Sequence, residues 1–186
     1  MELFKKVAMW VYDGLQGVLL VAAVFLVIYI FIIQPHEVSG LSMYPTFNNK
    51  DFLLSYLLPV RFDSLKKGDI VVFKSPVEQD KLYIKRIIAT SGDTVKVQDG
   101  GVYLNGSKLD ESSYLKPDVM TYGGASFQDG IDQSVPEGTV VVMGDNRPNS
   151  SDSRAWGFLD KTKLIGKSVI RFWPIQDFEF IRNPFK

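Results

Sequence analysis

The longest uninterrupted apolar segment of the chain lies near its N-terminus. It runs from Leu15 to Ile33 without a charged residue, and Gln16 is its one clearly polar side chain. At ~1.5 Å per residue, a helix over this run would extend roughly 28 Å, close to the ~30 Å hydrocarbon core of a bilayer. The pattern therefore predicts a membrane-spanning helix over residues 15–34, preceded by a short cytoplasmic segment, residues 1–14.

The cations that flank this run predict its orientation. Lys5 and Lys6 precede it, whereas the first Lys or Arg after it is Lys50. The positive-inside bias then places the N-terminus in the cytoplasm and the remainder of the chain on the outer side of the cell membrane. A cleavable signal peptide, cut near Val38-Ser39-Gly40, is the alternative interpretation. The apolar run is longer than the ~7–15 residues usual for such a peptide.

Beyond the apolar run, the pattern changes to short apolar segments separated by turn sequences such as Lys67-Gly68-Asp69. These segments are rich in β-branched and aromatic residues and predict the strands 51–58, 69–74, 81–90, 94–98, 102–104, 139–143 and 168–172. We therefore expect a mainly β domain over residues 35–186 on a helical stalk. Residues 107–137 are rich in Ser, Asp, Gly and Pro and predict an inserted loop or small cap.

The amino-acid composition limits the kinds of catalytic and binding site that this domain can form. The absence of cysteine excludes thiol nucleophiles, disulfide scaffolds and Cys-based zinc sites. His36 is the only histidine and cannot build a His-rich metal site; a metal site made of carboxylates alone stays open, although no EF-hand loop or H-E-x-x-H spacing is present. The 21 Lys and Arg residues are balanced by 21 Asp and Glu residues, which gives no reason to expect nucleic acid as a partner.

A serine nucleophile would need a nearby base and donors for an oxyanion. His36 lies at the membrane boundary, where an interfacial role is more common than catalysis. A lysine can replace histidine if burial lowers its pKa from ~10.4 by roughly 3 units. Lys85 shares a predicted strand face with the apolar Tyr83 and Ile87. A lysine that extends from an edge strand into water is the alternative interpretation of this position.

The candidate nucleophile is Ser42, in a loop that contains Gly40 and Pro45. Glycine allows a close approach of backbone to substrate, and the Ser42 N–H is a potential oxyanion donor. By itself, a serine in a Gly- and Pro-containing loop is most often part of an ordinary turn. Ser64 begins an S-x-x-K pattern, but the partner motifs that would make it catalytic are missing, so it is interpreted as a turn residue.

Four segments, taken together and in order, resemble the bacterial type I signal peptidases. They are residues 39–46 (SGLSMYPT), 68–73 (GDIVVF), 83–88 (YIKRII) and 144–154 (GDNRPNSSDSR). The resemblance covers nearly the whole chain, and the N-terminal anchor also fits it. It implies a largely antiparallel β fold and a serine endopeptidase that removes signal peptides from exported preproteins and uses neither a metal nor a cofactor.

The resemblance also implies a role for each matching residue. Ser42 would attack the scissile carbonyl, Lys85 would act as general base, and Ser150 would help to orient the Lys85 amine. The residues expected to support the site are Gly40, Asp145, Asp152 and Arg154. The residues expected to line shallow apolar pockets are Val38, Met43, Phe47 and Ile84. The substrate would carry small residues, often Ala-x-Ala, just before the cut, and the membrane lipid would be the second partner.

Two departures from the family pattern are visible. Gly40 stands where some members have a serine that assists the oxyanion hole, so only backbone donors are evident. After Arg86 the family usually reads Gly-x-Pro-Gly-Asp, whereas this chain reads ATSGD over residues 89–93, which puts the geometry of that turn in doubt. A membrane-anchored β module that binds a partner without catalysis is the alternative function. A self-cleaving repressor-type protease is disfavoured by the anchor.

Overall fold

The computed structural model describes residues 1–185 and consists of one long helix followed by a mainly β domain. Helix α1 covers Glu2–Phe31, so it begins well before the apolar run that starts at Leu15. By length and composition this helix is able to cross a membrane, and none of its residues is buried against the β domain. Ile33 and Gln34, the last residues of the apolar run and of the predicted span, belong instead to the first strand.

The β domain contains short strands and two single-turn helices within the described residues. The strands are β1 Ile33–Glu37, β2 Phe52–Tyr56, β3 Ile70–Lys74, β4 Leu82–Thr90, β5 Thr94–Gln98, β6 Gly101–Leu104, β7 Ser107–Lys108, β8 Gln133–Ser134, β9 Thr139–Met143, β10 Leu159–Asp160, β11 Leu164–Trp173 and β12 Glu179–Phe180. The helices are α2 Leu58–Arg61 and α3 Ser153–Trp156. Single 3-10 turns cover Arg147–Asn149, Lys161–Lys163 and Ile175–Asp177.

The strands form two sheets whose ladders are all antiparallel. In the larger sheet the order is β1-β2-β11-β3-β4-β9-β10, with β12 paired to β11, and in the smaller sheet it is β7-β6-β5-β8. The expected mainly β, antiparallel fold on one N-terminal apolar helix is therefore confirmed. Strand β11 is longer than predicted because it pairs with three other strands. On one edge its first half pairs with β3 and its second half with β12, and on the other edge it pairs with β2.

Each of the seven predicted strands is present, but β1 was missed. Its sequence, IQPHE, is polar and contains Pro35, which lacks the N–H that a central strand needs. Strand β1 pairs only with β2 and is therefore an edge strand, where such a proline is tolerated. Four two-residue strands, β7, β8, β10 and β12, are too short to produce a sequence pattern.

The core explains why the first four residues of β3 form a continuous apolar run. Along β3, Ile70 and Val72 face one cluster with Val38, Met43, Phe47, Leu53 and Ile84. Val71 and Phe73 face the opposite cluster with Ile87, Val140, Val142, Leu159 and Leu164. Successive side chains of a strand point to opposite faces, so this part of the sheet is covered on both sides. A third cluster joins β4 and β9 to the smaller sheet and to Phe127, which lies between β7 and β8.

Three of the C-terminal aromatic residues lie on the surface of the domain. Trp173, Phe178 and Phe180 are 50%, 52% and 66% exposed. Strand β11 ends at Trp173, and the tail that follows pairs with it only through the two residues of β12. Phe172 and Phe185 are half-buried.

Candidate active site

The loop that carries Ser42 connects the edge strand β1 to β2. It is closed at its base by hydrogen bonds from Val38 N to Asp51 O and from Lys50 N to Val38 O, both 2.8 Å. Met43 and Phe47 anchor it in the core, with 1% and 0% exposure. Gly40 has φ +95°, a left-handed conformation that favours glycine. The loop is therefore fixed at both ends, with the Ser42 side chain half-buried between them.

Lys85 projects from β4 toward this loop. Its Nζ donates to Ser42 Oγ at 2.7 Å and to the carbonyl oxygen of Ile84 at 3.0 Å. The side chain is 3% exposed, which excludes the alternative in which it extends into water. Tyr83 covers it, with the ring centre 5.0 Å from Nζ. The structure thus brings the two sequence-predicted residues into direct contact.

Burial sets the charge state of the Lys85 amine. Loss of solvent lowers the pKa of Lys85 from 10.5 to about 8, and the negative charges of Asp152 and Asp145 oppose this shift. Within residues 1–185, Lys85 takes part in no ion pair. The amine is therefore neutral in a large fraction of molecules near pH 8, which is the state that can accept a proton.

Each of the two nearby carboxylates is bound by an arginine of its own. Asp145 accepts from Arg86 Nε at 2.9 Å and from Arg86 Nη2 at 2.7 Å, and it also accepts from the Thr46 hydroxyl. Asp152 accepts from Arg154 Nε and Nη2, both at 2.8 Å. Bidentate pairing of this kind holds a carboxylate in a fixed geometry. Consequently neither carboxylate is free to pair with the Lys85 amine.

The segment around residue 144 also positions the nucleophile loop directly. Asn146 N donates to the carbonyl oxygen of Ser42 at 3.0 Å, and its Nδ2 donates to the carbonyl oxygen of Leu41 at 3.0 Å. Gly144 lies so close to this loop that a Cβ at that position would collide with the Ser42 carbonyl oxygen and with Ser150 Oγ. A backbone without a side chain is needed there, which gives Gly144 a packing role that sequence reasoning missed.

Ser150 does not make the contact that was expected of it. Its Oγ is buried and has no hydrogen-bond partner among residues 1–185. The Lys85 amine donates instead to Ser42 and to the Ile84 carbonyl. Ser150 Oγ nevertheless lies beside Gly144 and therefore at the edge of the nucleophile loop.

Sequence reasoning also missed a buried arginine that ties the segment between β7 and β8 to the site. Arg147 is 2% exposed, and it binds both carboxylate oxygens of Glu111 and, at 2.6 Å, the hydroxyl of Thr121. The ring of Tyr114, from the same segment, lies 4.1 Å from the Arg86 guanidinium carbon. The Tyr114 hydroxyl donates to Glu111 at 2.6 Å. No local sequence pattern links residues 111 and 147, because the contact depends on how this segment folds back.

A cleft of about 480 Å³ opens beside the Ser42–Lys85 pair. Its walls are the segment from Pro35 to Met43 on one side and Leu82 to Lys85 on the other. Three of the predicted pocket residues, Val38, Met43 and Ile84, are among those that line it, whereas Phe47 lies beneath the loop in the core. The prediction that Phe47 lines a pocket is therefore wrong. Apolar spacing alone does not distinguish a pocket wall from the layer below it.

Two further candidates from the sequence, His36 and Ser64, do not form a nucleophile–base pair among residues 1–185. His36 lines the cleft, burial lowers its pKa, and its Nε2 has no partner among residues 1–185. Ser42 Oγ is contacted by Lys85 and not by this imidazole. Ser64 is exposed and its hydroxyl points to the Pro59 carbonyl at 3.5 Å, as in a turn. The serine–lysine arrangement is the one that offers a nucleophile with a base.

Comparison with known proteins places the chain in a family. Residues 11–173 match the family model described as signal peptidase, peptidase S26. The chain is 33% identical to signal peptidase IB of Staphylococcus aureus over 183 aligned positions, and the match covers 91% of this chain and 95% of that protein. It is 38% identical to a probable signal peptidase I-2 of Synechocystis over 167 aligned positions, and that match covers 86% of this chain and 72% of that protein.

Solved structures also match. Among them is a crystal structure of a signal peptidase I from Enterococcus faecalis, with 30% sequence identity and a TM-score of 0.46. The match covers 55% of this chain and 95% of that one.

Proposed function

This chain belongs to the signal peptidase family, peptidase S26, and we propose that it removes signal peptides with Ser42 as nucleophile and Lys85 as general base. The resemblance of its four sequence segments to signal peptidases is confirmed by the family match. Membership makes the protein a serine endopeptidase that acts on preprotein signal peptides. The observation that supports the assignment of residues is the 2.7 Å hydrogen bond between Lys85 Nζ and Ser42 Oγ in a site without a competing carboxylate.

In the proposed reaction, the neutral Lys85 amine accepts the Ser42 hydroxyl proton as Oγ attacks the scissile carbonyl carbon. The carbonyl oxygen then carries the negative charge of the tetrahedral intermediate. The resulting ammonium donates its proton to the leaving amine, and the C–N bond breaks to give an acyl-enzyme. Water then attacks the ester carbonyl, with Lys85 taking one proton from the water and returning it to Ser42 Oγ. The Lys85 amine therefore serves as base and then as acid both in formation and in hydrolysis of the acyl-enzyme.

We propose that the backbone N–H of Ser42 stabilises the oxyanion. This N–H has no protein acceptor among residues 1–185, and its loop is held by Asn146 and by the core side chains Met43 and Phe47. Fixed donors that meet developing charge lower a barrier without reorganisation. Gly40 contributes the left-handed turn that exposes this part of the loop, and it brings no hydroxyl of its own.

The cleft suggests which substrate residues precede the cut. The Val38, Met43 and Ile84 side chains that line it are at least nine-tenths buried, so its apolar wall belongs to a packed core. A wall of this kind leaves little room for a large side chain, because displacing core residues is costly. We therefore propose small residues before the scissile bond, as in Ala-x-Ala.

The membrane anchor indicates at what level relative to the bilayer the protein binds its substrate. The relatives and the apolar helix indicate a membrane-anchored protein. We propose that the helix spans the cell membrane with residues 1–14 in the cytoplasm and residues 35–186 outside it, folded as one catalytic domain into which residues 107–137 are inserted. Strand β1 follows α1 almost without a break, so the Ser42 loop begins within a few residues of the helix end. A preprotein held in the bilayer by its signal peptide would present its bond at this level.

Mass spectrometry of a preprotein with an Ala-x-Ala site, before and after incubation with the detergent-solubilised full chain, tests the proposal. We expect a new N-terminus directly after the second alanine, and no product from Ser42→Ala or Lys85→Ala. Ser64→Ala serves as the matched control and should keep full activity. Normal cleavage by either the Ser42 or the Lys85 variant would remove the assignment of residues while leaving family membership intact.

A further inference from the structure

A second cavity, of about 790 Å³, lies where the nucleophile loop continues beyond its serine. It is larger than the catalytic cleft of about 480 Å³. Its walls are formed by the loop from Pro45 onward, by residues 112–116 between β7 and β8, and by residues 179–182 of the tail. Within the loop, the lining of the cleft ends at Met43 and that of the cavity begins at Pro45. Tyr44 alone therefore separates the two along the chain.

The cavity contains a cation that the protein does not neutralise. Arg86 and Arg171, which also line it, are bound by carboxylates of the protein, and Glu179 on the wall is bound by Arg171 at 3.1 Å. Lys116 is exposed, and among residues 1–185 no carboxylate pairs with it. Its Nζ lies 5.2 Å from the centre of the Tyr44 ring. An unpaired ammonium is thus placed at the end of the cavity that adjoins the nucleophile loop.

The backbone that carries Lys116 is held by the rest of the domain. The N–H of Leu115 donates to the carbonyl oxygen of Glu111 at 2.9 Å, and the Glu111 carboxylate is bound by the buried Arg147. Tyr114, two residues before Lys116, is 8% exposed. The lysine side chain is therefore free to contact a partner, while the segment from which it projects stays in place beside the loop.

A polypeptide substrate extends in both directions from the bond that is cut. The proposed place of the residues before the cut is the apolar cleft, so the residues after it leave past another part of the loop. An extended chain advances by at most ~3.6 Å per residue, which places the second to fourth residues after the cut roughly 7–14 Å beyond it. The Cα atom of Tyr44 lies at most ~7 Å from that of Ser42, since one residue separates them. These substrate residues therefore come level with Tyr44 and with Lys116 beside it.

We propose that this cavity receives the first residues of the mature chain, and that Lys116 selects substrates with a carboxylate at the second to fourth position after the cut. The inference rests on the proposed signal-peptide cleavage and adds to it a preference on the other side of the bond. Attraction between the unpaired ammonium and an aspartate or glutamate strengthens binding of the substrate, whereas a lysine at the same place is repelled. Because both groups stay partly in water, the preference is modest and falls as salt is added.

Three synthetic peptides test this preference with the full chain in detergent. They share one Ala-x-Ala site and differ only at the third residue after the cut, which is aspartate, asparagine or lysine. We expect the native KM to be about three- to tenfold lower for the aspartate peptide than for the lysine peptide, with the asparagine peptide between them and kcat nearly unchanged. Equal KM values for the three peptides overturn the proposal.

Charge reversal then locates the contact. Lys116→Glu should invert the order of the three KM values, and Lys116→Gln should abolish the difference between the aspartate and lysine peptides. Arg182→Glu is the matched control, because Arg182 is an exposed cation that lines the same cavity from the tail, so its reversal changes the net charge by the same amount. This control should keep the native order. An inverted order in Arg182→Glu, or the native order in Lys116→Glu, overturns the assignment to Lys116.

Binding without turnover separates this inference from the proposed activity. Fluorescence anisotropy of the same peptides, labelled at their C-terminal ends, gives the Kd of each for Ser42→Ala. We expect the aspartate peptide to bind this variant more tightly than the lysine peptide, and equal Kd values would also overturn the inference. Should the native chain cleave none of the peptides, the proposed function fails, and the Kd values still decide whether Lys116 selects a carboxylate.

Discussion

Replacing Arg154 by methionine should change the pH at which the enzyme works. The native guanidinium binds both oxygens of Asp152 at 2.8 Å. Methionine keeps much of the side-chain bulk but removes this partner, so a buried carboxylate is left near the Lys85 amine. Asp152 is the stronger of the two carboxylates that raise the pKa of Lys85 against the effect of burial. Freed from its arginine, it would stabilise the protonated amine further.

The size of the effect follows from the native shift. Burial holds the pKa of Lys85 at about 8 instead of 10.5. At pH 8 about half of the native molecules then carry the neutral base, compared with roughly 0.3% if the pKa returns to 10.5. We therefore expect kcat/KM for Arg154→Met to fall on the order of 150-fold at pH 8. Activity should recover as the pH approaches 10.5, because the base is then deprotonated in the variant as well.

The assay is a pH–rate profile of kcat/KM with a signal-peptide substrate in detergent. Exposed Arg182→Met is the matched control and should keep the native profile, with its rise centred near pH 8. Unfolding curves for both variants exclude a loss of fold as the cause. A reduced rate with an unchanged apparent pKa near 8 would refute the reasoning, since it would mean that Asp152 takes up the proton itself or that Arg154 acts only on the structure.

The remaining predictions concern stability and packing. The pKa of Lys85 is lower in the folded chain than in the unfolded chain, so the unfolded chain binds more protons between about pH 8 and 10.5. The free energy of unfolding therefore rises with pH in that window. At pH 7, where burial of the amine destabilises the fold, Lys85→Met should raise the free energy of unfolding by up to ~3 kcal/mol in denaturant titrations. Glu111→Ala leaves the Arg147 guanidinium buried without its carboxylate and should lower the free energy of unfolding by ~3–5 kcal/mol. Asp118→Ala, at an exposed position, should change it by less than ~0.5 kcal/mol. Similar values for the two variants would contradict a stabilising role of the Arg147–Glu111 pair. Gly144→Ala should reduce preprotein cleavage more than 100-fold because its Cβ collides with the Ser42 carbonyl, and native activity in this variant would show that the loop can shift without cost.

The predictions for Arg154 and Lys85 share one physical feature, which is the separation of opposite charges near the base. Two carboxylates lie close enough to Lys85 to raise its pKa, yet both are bound by arginines. The amine is left with a hydroxyl and a carbonyl as its partners. Desolvation can then dominate over attraction, which is the condition for a lysine that acts as a base near neutral pH. In the proposed mechanism these arginines act only through the carboxylates that they bind.

Much of this protein was determined by local sequence. The apolar run specified a helix long enough to cross a membrane, because uninterrupted hydrophobicity over that length has few other stable outcomes. Runs of β-branched and aromatic residues between turn sequences located β2 to β6, β9 and β11. The four segments that resemble signal peptidases identified Ser42 and Lys85 as the pair to examine, since motif order is a property of the chain itself.

Only the tertiary structure decided how these parts meet. The 2.7 Å contact between residues on different elements depends on strand register, which no local pattern encodes. The same holds for the pairing of Arg147 with Glu111 and for the buried, unpartnered hydroxyl of Ser150. Phe47 was expected in a pocket wall and lies in the core, because depth below a surface is set by the packing of several strands together. Chemistry at this site therefore arises from long-range placement of residues whose types the sequence already supplied.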